Sequence, residues 1–358
     1  MSPVVLERRA LLAGAGLAWL LSLGPAGAQR LAASDVVFAS AYKDRQGAYG
    51  IAFLDQDGAI VARHLLPGRG HGFASHPQAG WLVAFARRPG NFAVALDPES
   101  AREPVVFHTP ADRHFYGHGA FSADGQLLFA AENAFETGDG VLGVYDVTNG
   151  FARIGEFPSH GIGPHEILLM PDAKTLCVAN GGIRTHPDNG RQKLNLPTMA
   201  SSMAFIDLES GSLLSSHSLP DNLRRLSLRH MAADARGQVW IGGQYEGDPM
   251  DVPPVLARLN PDAGLQTVEL PNDVKAEFGM YVGAVAASND GARLAITSPK
   301  TGRLVTLDAQ SGKVLGSIEQ PGVCGIQASA RGFVSSTETG EFAHQQHDLL
   351  WDNHIAVA

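Results

Sequence analysis

Four histidines occupy one repeated position in the chain: His71, His118, His165 and His230. Each opens a short run of small residues that ends at a tight-turn signal. The runs read His-Gly-Phe-Ala-Ser-His-Pro, His-Gly-Ala-Phe-Ser-Ala-Asp-Gly, His-Glu-Ile-Leu-Leu-Met-Pro-Asp and His-Met-Ala-Ala-Asp-Ala-Arg-Gly. The same 47 residues separate His71 from His118 and His118 from His165. A shared register predicts side chains that converge on one place. Neutral imidazole is the commonest metal ligand in proteins. A histidine held by hydrogen bonds within its own repeat is the plainer alternative for any single member.

Carboxylates fall near the same positions. Glu132, Glu166 and Glu246 are expected to add oxygen ligands to the nitrogen ligands, and such a mixed set suits iron, copper or zinc better than calcium. A segment at 183–202 interrupts one repeat and carries His186, Asp188, Arg191 and Lys193. It either overhangs the histidines, as a gate or an anion contact, or stands as a solvated loop. The chain lacks CxxCH, GxSxG and HExxH motifs, which removes covalent c-type haem, the serine-hydrolase elbow and the zincin helix from consideration.

The elements that must position these residues are short strands. Two further runs share the pattern, from Ala284 and from Gly325. After each turn comes a second strand, such as Trp81-Leu-Val-Ala-Phe or Thr175-Leu-Cys-Val-Ala. A third strand often ends in Asp before another turn, at Asp97, Asp146, Asp207 and Asp308, and a fourth follows. Four short strands in units of roughly 40 to 50 residues predict an all-β propeller, because one such sheet cannot bury both faces alone and radial stacking covers them. The segment from Asp35 to Pro67 carries only three strands, without an inner one, and the chain ends on an apolar tail, Ile355-Ala-Val-Ala358. Pairing the two ends closes the ring and gives about seven blades over residues 29–358 as a single domain.

The net charge is −9, with Lys and Arg scattered, which argues against nucleic acid and anionic membranes as partners. Residues 1–28 read as a leader. Arg8-Arg9 precede an apolar run from Leu11 to Leu23 that is too short for a comfortable span, and Pro25-Ala26-Gly27-Ala28 fits cleavage after Ala28. The arginine pair reads as a twin-arginine leader, with an ordinary Sec leader that carries two arginines as the alternative, and either leader implies a periplasmic location. No later stretch is apolar enough to span a membrane as a helix. Cys177 and Cys324 have no metal-site spacing and are expected as two buried thiols.

Gly-Pro-His165-Glu166, Asn180-Gly-Gly-Ile-Arg-Thr-His-Pro-Asp188, Leu228-Arg-His230, Gly243-Gln-Tyr-Glu246 and Trp351-Asp-Asn-His354 together resemble the exported family known as domain of unknown function 1513, over nearly the whole chain. The resemblance implies an association with imelysin-type and di-haem peroxidase-like exported proteins, and so periplasmic iron or copper handling with metal-uptake or redox proteins as partners.

The residues and the resemblance lead to a metal-binding or metal-delivery accessory protein of iron or copper uptake, a carrier more than an enzyme. Two other readings remain: a metal-dependent hydrolase resembling the lactonase-like propellers, and a non-catalytic docking scaffold. Metal affinity is expected to fall as pH drops through about 6.5, the ordinary histidine value. Replacing Arg8 and Arg9 together by Lys should hold the precursor in the cytoplasm. Cell fractionation checks this, and unchanged export would remove the twin-arginine assignment.

Overall fold

The computed structural model describes residues 37–358 except 79, 99–101 and 261–263. The expected leader, with Arg8-Arg9 and the expected cleavage after Ala28, lies outside the described residues. The chain forms seven four-stranded antiparallel sheets, the blades of a propeller.

The first blade is made by both ends of the chain. Strands β1 (Phe38–Asp44), β2 (Tyr49–Leu54) and β3 (Ile60–Leu65) are joined on the inner side by β28 (Leu349–Val357), in the order β28-β1-β2-β3. β28 runs antiparallel to β1, with Phe38 opposite Val357 and Tyr42 opposite Trp351. The other six blades are sequential. Their inner strands are β4 (Gly70–Ser75), β8 (Arg113–Phe121), β12 (Pro164–Leu169), β16 (Leu226–Ala233), β20 (Ala284–Ala287) and β24 (Val323–Ser329). The inner strands touch their neighbours in sequence around the axis, and β28 completes the circle between β24 and β4.

Repeated turn chemistry sets the spacing. After β8, Ser122 donates to Asp124 at 2.6 Å while the Asp124 carboxylate accepts from the Gln126 amide at 3.0 Å. Ser288, Asp290 and the Ala292 amide repeat the arrangement after β20. At the outer hairpins, Asp146, Asp207 and Asp308 accept from the hydroxyls of Thr148, Ser210 and Ser311 at 2.6–2.7 Å. Each carboxylate supplies the acceptor that a tight turn otherwise lacks. Asp146, Asp207 and Asp308 of the repeated Asp seen in the sequence are therefore turn residues.

Between blades, apolar faces of neighbouring sheets pack together. Trp240 is fully buried among Leu226, Ile241, Leu256 and Ile296, and Phe85, Phe115 and Tyr145 fill the gap two blades earlier. Cys177 and Cys324 are both free and buried, and burial pushes each thiol up to about 12.

β28 also carries much of the closing contact. Trp351 and Ile355 are buried in the cluster that joins the first and last blades, and the Trp351 indole donates to the Gly340 carbonyl at 3.1 Å. Deleting residues 351–358 should remove these side chains, each worth about 1.5–3 kcal/mol of burial, and open two strand edges. The truncated protein should aggregate or unfold at much lower denaturant concentration than the full chain. An unchanged unfolding midpoint would exclude closure by β28 as a source of stability.

Candidate metal centre

The inner strands do not run evenly into the axis. In β4 the pairing with its neighbour slips between Gly70 and Phe73; in β8 between Phe115 and Gly119; in β12 between Pro164 and Glu166; in β16 between Leu228 and His230. β28 slips against β1 across Asp352, Asn353 and His354. A β-bulge bends the strand and re-aims a side chain. The histidines sit at these irregularities, and their rings meet in the central channel.

Five imidazoles gather there, each with its centroid 4.7–6.2 Å from those of at least three others. They belong to His71, His118, His165, His230 and His354. The ring nitrogens of His71, His118 and His354 all lie within 4.8 Å of one another, as do those of His118, His165 and His230. His118 thus belongs to both triads. The remaining inner strands, β20 and β24, bring small or apolar residues instead, including Ala284, Ala286 and Val323.

Glycine makes this crowding feasible. A Cβ on Gly117 would lie 2.6 Å from the His71 ring, and one on Gly72 would lie 2.6 Å from the His118 ring. Gly117 also holds φ +106°, where other residues are strained.

Two carboxylates orient the cluster. Asp352 Oδ1 lies 3.0 Å from His71 Nδ1, and Glu166 Oε2 lies 3.3 Å from His230 Nδ1. If each Nδ1 carries the proton, the Nε2 lone pair of both rings is left free, the carboxylate–histidine arrangement that fixes ligands at metal sites. Asp352 is further held by Arg69 at 2.6 Å and Arg87 at 3.4 Å. These partners keep its carboxyl well below the usual range against the opposing cost of burial. Burial raises the Glu166 carboxyl.

The other rings lack such partners. His118 Nε2, His165 Nδ1 and His354 Nε2 are buried nitrogens without a hydrogen bond. Burial disfavours the imidazolium throughout, taking His71 down to about 4 and both His118 and His230 to about 3. His165 and His354 are driven down in the same direction, by burial first and then by neighbouring charges. The cluster is therefore a set of neutral nitrogen donors at neutral pH.

The expected residues divide as follows. His71, His118, His165 and His230 are brought together, and Glu166 touches the cluster through His230. Glu132 requires a correction. Its carboxylate is fully buried inside its own blade, where it accepts from Tyr145 Oη at 2.6 Å and from Arg153 at 2.9 Å. The alternation of its strand turns it toward the neighbouring strand's Tyr145, away from the axis. Glu246 stands at the mouth but is bound by the Lys193 ammonium, with Arg229 at 3.8 Å; it is a counter-ion there and not a neighbour of the rings. In the 183–202 segment, Arg191 and Lys193 line the mouth cavity. His186 faces Phe135 and caps the Asp188 amide, and the Asp188 side chain is 87% exposed.

His354 and Asp352 were absent from the sequence-derived ligand set. Their motif, Trp351-Asp-Asn-His354, is visible in the sequence, but it lies outside the repeat register because its strand completes a blade from the other end of the chain.

The chain belongs to the family described as "Protein of unknown function (DUF1513)", whose model matches residues 64–358. No curated protein is similar enough to count as a relative. Among solved structures, hydrazine synthase of Kuenenia stuttgartiensis matches with TM-score 0.60 at 15% identity, over 80% of this chain and 86% of that one. The β-propeller domain of Myceliophteria thermophila Cps50 (Swd1) matches with TM-score 0.59 at 11% identity, over 85% and 93%. At these identities the likeness is one of fold.

The buried neutral imidazoles have a measurable consequence. Unfolding restores each ring to its ordinary value near 6.5, so below that pH the unfolded chain binds protons that the folded chain refuses. Stability should be intact above about pH 6.5 and fall steeply toward pH 4. Denaturant titrations of metal-free protein across this interval check it. Replacing His118 by Gln should make the fall shallower, and a flat profile in the parent protein would contradict neutral burial.

Proposed function

We propose that this propeller is a periplasmic metal-binding accessory protein that holds a copper, zinc or iron ion among the five channel imidazoles. The observation that carries the reading is the set of buried, unpartnered nitrogens on His118, His165 and His354. An unsatisfied buried polar atom carries a desolvation cost of about 1–3 kcal/mol, which a coordinate bond would offset. Zinc and similar ions bond imidazole at about 2.0–2.1 Å, so a ligating triad would draw together by small ring rotations from its present 4.8 Å limit.

The donor chemistry narrows the choice. Carboxylates were expected as direct ligands beside the imidazoles, a mixed set that suits iron, copper or zinc. With Glu132 and Glu246 engaged elsewhere and Asp352 and Glu166 behind histidines, the donors nearest the centre are all nitrogen, a set that suits copper or zinc at least as well as iron. Proton competition would begin below pH 6.5, since burial holds the rings neutral to about 4 and lower. Five nitrogen donors within reach of one centre suit retention of an ion. Among the described residues, the absence of a carboxylate within the imidazole cluster to serve as a general base favours a carrier over a lactonase-like hydrolase, with Asp352 and Glu166 held behind His71 and His230.

The test is the double variant His118→Ala, His165→Ala, which breaks both triads. Protein purified without an affinity metal is incubated with Cu(I), Cu(II), Zn(II) or Fe(II), passed over a desalting column and analysed for metal. The parent should retain about one ion per chain with its melting midpoint raised, while the variant stays folded and retains none. Absence of retained metal in the parent would overturn the metal reading. Lactone turnover by the loaded parent would transfer the site to the hydrolase alternative.

A further inference from the structure

Above the imidazoles lies a cavity of about 390 Å³, within the usual range of small-molecule sites. His71, His165 and His230 form part of its floor. Its walls bring together Arg87, Arg88, Arg191, Lys193, Arg229 and Lys300. They come from different parts of the ring: the end of β5 (Leu82–Ala86), the 183–202 segment, β16, and the turn between β21 (Arg293–Ser298) and β22 (Arg303–Asp308). Among the described residues, no Asp or Glu side chain lines the cavity.

The counter-charges nearby do not balance this set. Glu246 serves Lys193 and Arg229, and Asp352 serves Arg87. Among the described residues, Arg88 and Arg191 have no carboxylate within ion-pair distance. Lys300 lies 5.5 Å from the centre of the Tyr281 ring, a cation–π contact that leaves its charge uncompensated. Arg88 is mostly buried; burial first, and then the nearby Arg229 charge, pull its guanidinium below the usual range. Such crowding of cations around a recess costs free energy in the absence of an anion.

We propose that this cavity is a binding site for a small anion bearing several oxyanion groups, of the polycarboxylate or polyphosphate kind. The spread of cations around the rim favours several separated charged groups over a single compact one. Arginine forks match carboxylate and phosphate oxygens in pairs. The inference goes beyond the metal reading and does not depend on it, because the cations lie above the imidazoles and are separate side chains.

The test uses the full chain, stripped of metal and dialysed free of chelator. Citrate, pyrophosphate and acetate are titrated by calorimetry at about 0.15 M salt, where charges beyond about 8 Å are screened. Citrate, pyrophosphate or both should bind at one site per chain, at least about tenfold more tightly than acetate. Citrate alone identifies a polycarboxylate site, and pyrophosphate alone a polyphosphate site. The double variant Arg88→Gln, Arg191→Gln should weaken binding by about tenfold or more, as expected for lost charge-assisted hydrogen bonds. Arg191 is exposed, so Arg191→Gln alone keeps the fold and should still weaken binding. Metal retention by both variants should match the parent, which separates failure of this site from failure of the imidazole cluster. No preference of either multivalent anion over acetate, or unaltered affinity in both variants, would overturn the proposal.

Discussion

Packing five imidazoles, most of them buried, against one another at the propeller axis is the constraint around which the centre of this molecule is organised. An imidazolium in that place would face four other rings and the guanidinium groups at the mouth. The rings therefore stay neutral, and their nitrogens must find donors, lone-pair partners or an ion. Asp352 and Glu166 satisfy His71 and His230, while the buried nitrogens of His118, His165 and His354 remain without hydrogen bonds. A cluster selected only for stability would be better served by apolar side chains of similar volume, because replacing buried polar groups by well-packed apolar ones is often neutral or stabilising.

The same centre depends on ring closure. β28 is the inner strand of the first blade and brings both Asp352 and His354 to the axis. His354 stands 4.7 Å, centroid to centroid, from each of His71, His118 and His230. The two ends of the chain must meet before the fifth ring and the principal carboxylate are in place. Completion of the cluster is thereby tied to completion of the fold, and the last residues of the chain serve stability and chemistry together.

Much of this was legible in the sequence because the propeller writes itself in local signals. Asp124, Asp290 and the outer-hairpin Asp308 mark turns by chemistry that acts within a few residues. The shared register of His71, His118 and His165 followed from two equal repeat lengths, and His230 joined it through the same short motif despite the 183–202 segment that lengthens its interval. Glu132 was misplaced because proximity to a strand end does not tell which way a side chain faces; one step of alternation sends it to Tyr145 and Arg153. His354 escaped for a different reason. Its strand pairs with β1 from the opposite end of the chain, and it belongs to no repeat until the ring has closed. The bulges that aim the histidines are likewise a property of paired strands, invisible in any one of them.

The electrostatics of the two levels of the site constrain each other. The mouth carries six cationic side chains over a floor of neutral rings, so a bare metal cation approaching from that side meets repulsion before it meets nitrogen. Asp352 and Glu246 reduce this field, but their carboxylates are already shared with Arg87, Lys193 and Arg229. Interactions between charges in such a recess are stronger than in bulk water, because low-dielectric walls focus the field. An anion seated among the arginines would lower the barrier to a cation below it, and a cation on the imidazoles would strengthen the hold on the anion above. By linkage, whatever favourable coupling exists must act equally in both directions. The channel thus carries electron-pair donors at the bottom and hydrogen-bond donors with positive charge at the top, so that occupants of opposite sign at the two proposed levels would complement each other.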